Sequence, residues 1–528
     1  MLHPLHYHRA TKHSFKRFAN SPGQLDWQTQ PDPFRRYSGA LLKELPLLDV
    51  DPTPSADHLF TGTPTTAALT LANIAGLLEL SLGLSCWKEI ADSRWALRMN
   101  PSSGNLHPTE SYLVLPAVDD LDAGVYHYSP FAHGLERRLA LQDVPAGAGF
   151  FLALSSVFWR ESWKYGERAF RYCNHDAGHA AAAIRFAANL FGWNVIICEV
   201  GDRDIAALLG FNRTTWPEHE TEHPDMLLWV GSGEPVVDPP VSFIAEAAAK
   251  IPEGKPNILS PGHRLWNQID LVAAATVRSG QLTAPTWEDS ALLLPGYRQS
   301  GAAVIRQRRS AVDTDRSQSK LSRGQFRTLL DTLLPRREIA PFDLALGESR
   351  VHLVFFVHNV EGLESGLYIQ VRNQAHCKEL QESLRENFLW QQTTIAPSLY
   401  LLEQGDLRNM AAQLSCGQEI CGNGALTVAM LARFSQEIAA DAGRYRELFW
   451  ESGMIGQVLY LQAEMCGQGG TGIGCYFDDP VHQLLGISDA SYQSMYHFTL
   501  GHPLVDARIS SREPYFHLNA LRFGNNQQ

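Results

Sequence analysis

No stretch of this 528-residue chain approaches the roughly 18 consecutive apolar residues needed to cross a bilayer. There is no basic excess either. Lys and Arg number 44 against 56 Asp and Glu, and the formal net charge of −12 has the wrong sign for a partner built on a phosphate backbone. Acidic residues are missing before Asp26, but the opening "MLHPLHYHRATKHSFKRF" lacks the apolar segment of a secretory signal. Pro4 and the scattered histidines argue against a transit peptide. Cysteine is sparse, with eight in all: Cys86, Cys173, Cys198, Cys377, Cys416, Cys421, Cys466 and Cys475. No two form a C-x2-C pair, which leads us to expect reduced, mostly buried thiols in a cytoplasmic protein. Cys416 and Cys421, with four residues between them and no second pair nearby, make a poor metal pair. What remains is an ordinary globular composition, 45% hydrophobic and 19% charged, in a chain too long for one core.

The chain repeats itself. "FRYCNHDAGHAAAAIRFAANLFGW" and "YRELFWESGMIGQVLYLQAEMCGQ" each open on an aromatic-Arg pair, Phe170-Arg171 and Tyr445-Arg446. An acid follows five residues after each arginine (Asp176, Glu451), a glycine two further on (Gly178, Gly453), and another fourteen later (Gly192, Gly467). Leu-Leu-Gly then ends at Gly210 and Gly486, and "GVY" at Gly124 matches "GLY" at Gly366. Each copy reads as a helix with its acid near the start, where a negative charge suits the helix dipole, and a glycine at the C-terminal turn. "DIAALLGF" and "PVHQLLGI" read as short amphipathic helices, and "SYLVLP", "RVHLVFFV" and "LLWVGSG" as strands. Six prolines from Pro235 to Pro261 mark an extended strap between the copies. The expected architecture is α+β: one domain over 1–245, a linker over 246–285 and a second domain over 286–528, with an additional segment at about 380–440.

Three stretches carry chemistry. "PSSGNLHP" (Pro101 to Pro108) sets Ser102, Ser103, Gly104 and Asn105 in a row that no regular helix accommodates. Arg308-Arg309-Ser310 puts two forked cations and a hydroxyl in one turn, suited to a phosphate and a polyol chain. "CGQGGTGIGCYFDDPV" holds five glycines between Gly467 and Gly474, letting backbone amides approach a flat ligand. Arg508 and Arg512 offer further anion partners near the C-terminus.

Together with "YHRATKHS", "KYGERAFRYCNHDAGH", "DRDIAALLGF" and "GKPNILS", these stretches run in order across nearly the whole chain. They resemble tandem FMN-dependent nitroreductase-fold proteins, in particular the dehydrogenases that oxidise thiazolines and oxazolines in modified peptides. The resemblance implies two copies packed as an intrachain pseudo-homodimer with FMN at their interface. It implies that Arg308, Arg309 and Ser310 hold the phosphate and ribityl chain with Arg508 assisting, and that Gly472, Ile473 and Gly474 offer a backbone amide to flavin N5. Pro101, Ser102, Ser103, Gly104 and Asn105 would meet the ring from the other copy. The deficits of the two copies are complementary. The first has "TKHS" in place of Arg-Arg-Ser and "GWNVIICEV" in place of the glycines, while the second shows no Pro-Ser-Ser-x-Asn. One complete flavin site and one degraded mirror site are therefore expected.

The same resemblance nominates Lys164 and Tyr165 as catalytic, a phenolate-leaning tyrosine beside an ammonium taking a proton from carbon. A packing role for the pair is the competing reading. His175 and His179 sit four apart, but no third ligand accompanies them and no metal is expected; "EHETEHP" (218–224) reads as a solvated loop, and His107 as lining the pocket or packing its turn. The expected substrate is a small molecule or peptide, with a cyclodehydratase complex as a candidate partner and dioxygen or another acceptor reoxidising the flavin. Two other functions stay open, an NAD(P)H-dependent nitro or quinone reductase and a non-catalytic flavin-binding scaffold.

Overall fold

A computed structural model describes residues 3–523. Two antiparallel sheets organise it. The first runs in the order Leu42–Glu44, Gly134–Ala140, Gly124–Ser129, Thr109–Leu115, Gly149–Val157, Glu222–Gly231, Asn194–Ile197. In the second the order is Gln391–Gln392, Leu399–Gln404, Gly366–Gln370, Val351–Val357, Leu426–Arg433, Tyr492–Pro503, and this last strand also pairs with Gly469–Ile473 and with Thr314–Asp315. The two orders match strand for strand. "GWNVII" therefore supplies, in the first half, the strand that the glycine-rich segment supplies in the second.

Between the sheets cross two helices of equal length, α1 (Ala169–Leu190) and α2 (Arg444–Met465). Every residue of α1 is buried, so it shows no polar face. The helices meet at Gly178 and Gly453. A Cβ on Gly178 would lie 2.2 Å from the Trp450 carbonyl oxygen, and one on Gly453 would lie 2.2 Å from that of His175. Any side chain at either position would push the backbones apart.

The repeated arginines explain themselves in this arrangement. Arg171 donates to Asp478 at 2.8 Å, joined by Arg168 at 2.9 Å, and Asp478 opens the short helix of the opposite half. In the mirror position Arg446 pairs with Asp202, which opens the other short helix, and with Asp225 at 2.9 Å. Breaking such a buried cross-half pair costs on the order of 3–5 kcal/mol, because the remaining charge is stranded. The two short helices end at Gly210 and Gly486, both left-handed.

The chain ends are exchanged. The N-terminal helix Pro4–Ala10 lies on the second half, with His8 within 4.4 Å of the Phe434 ring and His13 N–H on Asp478. The C-terminal strand Ser510–Arg512 pairs with Trp87–Glu89 of the first half, and Leu84 N–H donates to Tyr515 Oη at 2.9 Å.

Three expectations need correction. Asp176 and Glu451 lie inside their helices, not at the starts, because Phe170-Arg171 and Tyr445-Arg446 already belong to them. His175 is likewise within α1. The strap is partly helical: Val241–Ala248 starts from Pro240 and buries Phe243, Ile244 and Ala247, and Asn267–Ala275 buries Ile269 and Val272. A proline just before a helix needs no N–H partner there, which is why the proline-rich run does not prevent one. The segment at 380–440 is not wholly additional either, since Leu399–Gln404 and Leu426–Arg433 match strands of the first sheet.

Candidate active site

Between the halves lies a cleft of about 670 Å3, lined by Pro101–Asn105 from the first half and by Arg308–Ser310 and Gly472–Gly474 from the second. Segments more than 350 residues apart in sequence thus face one space. The Arg308 guanidinium, buried, donates from Nη2 to the carbonyl oxygens of Arg98 and Met99 at 3.1 Å, directly upstream of Pro101. It lies over the Tyr460 ring at 5.1 Å, and its Nε has no partner among the described residues. Arg309 donates to Ser85 O at 3.1 Å and caps its own turn through Arg306 O. Ser310 is exposed to the cleft, its hydroxyl 2.8 Å from Tyr460 Oη, which also accepts from Gly472 N–H at 3.0 Å.

Much of the polarity of "PSSGN" is engaged within the loop. Ser102 Oγ accepts from His107 N–H at 2.8 Å, and the Asn105 amide donates to Ala96 O at 2.9 Å. Ser103 donates from both its N–H and its hydroxyl to Asp176. Gly104, Asn105 and His107 all have positive φ, so the loop is held in a conformation that these hydrogen bonds must enforce. The glycines opposite are sterically required. A Cβ on Gly472 would lie 1.9 Å from Tyr496 Oη.

Tyr165 lines the cleft. A Cβ on Gly104 would meet its hydroxyl at 2.5 Å and Lys164 Nζ at 3.1 Å, so the pair abuts the loop. Lys164 sits 5.3 Å from the Tyr165 ring centroid, against the ring. The phenolate expectation fails on electrostatics. Desolvation first, then the negative fields of Glu161, Tyr172 and Asp176, push the Tyr165 hydroxyl well above its usual range, so it is a neutral phenol. Arg508 does not itself line the cleft; its side chain is 79% exposed and pairs at 2.7 Å with Asp506, which stands at the cleft rim. Arg512 likewise pairs outside, with Glu89.

Asp176 is a site residue that no sequence motif marks. Its carboxyl is buried in the cleft wall, and desolvation lifts it to about 7 against the hydrogen bonds from Ser102 and Ser103. Nearby Glu161 is also pushed up by burial, and neither of its oxygens has a partner. Tyr172, Tyr460 and Tyr496 complete the wall. The only signal in the sequence was the matched spacing of Asp176 and Glu451. His179 is buried among Gln457 and Tyr496 and held down to about 3 by desolvation, and His175 donates from Nε2 to Met495 O at 3.1 Å. No group of three metal-ligating side chains occurs among the described residues.

The mirror position is closed. Ser349 Oγ and Arg350 N–H donate to Glu451 as Ser103 does to Asp176. There, however, Arg372 pairs with Glu451, Phe342 stacks on Arg372, and Asp343 binds Arg185 at 2.7 Å. Only about 20 Å3 remains.

Residues 305–502 match the family model described as Nitroreductase family. A Methanocaldococcus jannaschii protein, named provisionally as a nitroreductase, is 29% identical over 140 residues, 24% of this chain and 67% of that protein. The crystal structure of a provisional nitroreductase from Anabaena variabilis is similar at a TM-score of 0.68 and 22% identity, over 95% of this chain and 99% of its own. This chain therefore has a mixed α/β nitroreductase fold across both halves. An Escherichia coli microcin synthetase complex bound to its truncated precursor overlaps over 35% of this chain and 71% of its own, at a TM-score of 0.25 and 18% identity, too partial to support more. Among the described residues, no helix is long and apolar enough to cross a membrane.

Proposed function

We propose that this chain is an FMN-dependent oxidoreductase that binds one flavin in the cleft and oxidises azoline-type heterocycles of a peptide or related small substrate. Residues 1–245 and 286–528 are the two units on this reading, joined by the strap. The observation that carries it is the meeting of Pro101–Asn105, Arg308–Ser310 and Gly472–Gly474 around one cleft, opposite a closed mirror position. The residues fit such a group. A buried guanidinium with an unpartnered Nε suits an anion, and a strand with Gly469, Gly470 and Gly472 lets a planar ring approach its backbone.

The bound flavin supplies a hydride acceptor. The chain supplies the rest. Arg308 and Arg309 hold negative charge, and Ser310 offers a hydroxyl beside Tyr460. Tyr165, a neutral phenol, donates a hydrogen bond to a substrate heteroatom, and Lys164 adds positive charge next to it. Asp176, poised at about 7, takes the proton released from carbon, a role matched to its position near neutrality.

Purified protein tests this reading. A yellow sample with one flavin per chain, whose colour bleaches on addition of a thiazoline peptide, supports it. Bleaching by NAD(P)H alone overturns the substrate and makes the protein a nitro or quinone reductase. A colourless sample that takes up no added FMN overturns the flavin reading as a whole. A cyclodehydratase partner is tested by co-purification with the enzyme that makes the azoline.

A further inference from the structure

We propose that Cys416 and Cys475 form a redox-active thiol pair at the rim of the cleft, with Cys475 the nucleophile that a hydroperoxide oxidises and Cys416 the thiol that resolves it to a reversible disulfide. The inference stands on the thiols alone and does not need the flavin reading.

Cys416 lies in the turn after the helix Arg408–Leu414, with φ +58°, and Cys475 directly follows the glycine strand Gly469–Ile473 and Gly474. The fold brings these two sulfurs to 2.6 Å, although 59 residues separate them in the chain. Both are only half-buried, and Cys475 lines the cleft, so a small oxidant reaches it. Cys86, Cys173, Cys198, Cys421 and Cys466 are buried, and Cys377 lies elsewhere on the surface of the second half.

The charges around the pair are asymmetric. The two sulfurs are in hydrogen-bond contact, and His13 and Arg168 face Cys475 as well; together these outweigh burial and hold Cys475 below the usual thiol range. Arg168, itself paired with Asp478, donates to the Gly474 carbonyl at 3.2 Å, one residue away. Gln418 donates to the Cys475 carbonyl at 3.1 Å. Cys416 is shifted the opposite way, kept as a thiol by the same contact. Burial raises Cys421 to about 12 and Cys466 to about 11, which leaves them poor nucleophiles.

The steps balance. The Cys475 thiolate attacks the distal oxygen of ROOH; the O–O bond breaks, ROH leaves with a proton, and sulfur becomes a sulfenic acid. Cys416 then attacks that sulfur; the S–S bond forms, the S–O bond breaks, and the oxygen leaves as water with the Cys416 proton. Two thiols and one hydroperoxide thus give a disulfide, ROH and water. A dithiol reductant reverses the change. The bond pins the end of the glycine strand to the Cys416 turn.

The experiment uses full-length reduced protein and one equivalent of hydrogen peroxide, followed by denaturing alkylation and peptide mass spectrometry. The expected result is a fall from eight alkylatable thiols to six, with a Cys416–Cys475 cross-linked peptide that dithiothreitol abolishes. In Cys416→Ser, dimedone captures a sulfenic acid at Cys475. In Cys475→Ser, peroxide consumption slows by at least about tenfold. Eight alkylated thiols after peroxide, a cross-link between other cysteines, or dimedone label spread over the remaining thiols overturns the proposal. The wild-type cross-link map needs no variant to fold.

Discussion

Asp176 and Glu451 occupy the same place in the two crossing helices, and each accepts a serine hydroxyl and a backbone N–H from the loop ahead of a central strand. Their surroundings then diverge. Asp176 faces an open cleft without a cationic partner, whereas Glu451 is neutralised by Arg372. The same arrangement thus leaves a carboxyl raised to about 7 on one side and a buried ion pair on the other.

Asp176→Asn separates activity from stability. The folded carboxyl sits at about 7, above the usual 3.8, so its protonated form favours the fold. That contribution is complete below pH ~4 and is lost as pH rises through about 7, a span worth at most a few kcal/mol. The variant is expected to melt higher than the parent at pH 8, by calorimetry, while azoline turnover falls roughly 100-fold and loses its rise through pH 7.

Tyr165→Phe is expected to keep its flavin and lose turnover by about 10- to 100-fold, measured by anaerobic bleaching. Because the hydroxyl is pushed above its usual range, the parent's rate should show no ionisation from this residue between pH 7 and 9. Turnover unchanged in the variant removes Tyr165 from the chemistry.

Arg308→Lys keeps a charge but loses the planar guanidinium whose Nη2 donates to both the Arg98 and Met99 carbonyls and whose Nε is free for an anion. FMN affinity, followed by quenching of flavin fluorescence, should weaken by roughly 10- to 100-fold, about 1.5–3 kcal/mol. Arg508→Ala, by contrast, should leave affinity unchanged, since that side chain is largely exposed, is held by Asp506 and does not itself line the cleft.

Glu451→Gln should destabilise the fold by about 3–5 kcal/mol by stranding Arg372, without altering the flavin content of the folded fraction. Flavin-to-protein absorbance after gel filtration measures the second part; two flavins per chain would mean that the mirror position opens.

The repeat was legible because its spacings encode contacts. Arg171 and Arg446 had to be matched, since each grips the acid that opens the opposite half's short helix. The complementary deficits around "PSSGNLHP" and Arg308-Arg309-Ser310 were legible only through the family resemblance, which says what each copy should hold. Helix starts were not, because α1 and α2 are buried along almost their whole length and so carry no polar face to mark a boundary. The shift of Asp176 was hidden too. It depends on what the carboxyl does not touch, and the sequence records no absence of partners. The Cys416–Cys475 approach joins a turn to a strand end 59 residues on, a proximity only the sheet order creates.

The exchanged chain ends have a consequence for handling the molecule. With Pro4–Ala10 seated on one half and Ser510–Arg512 stitched into the other, a protease cut in the exposed strap near Ile251 would yield two fragments that still migrate together until denatured. The halves are thus held by clasp as well as by covalent thread.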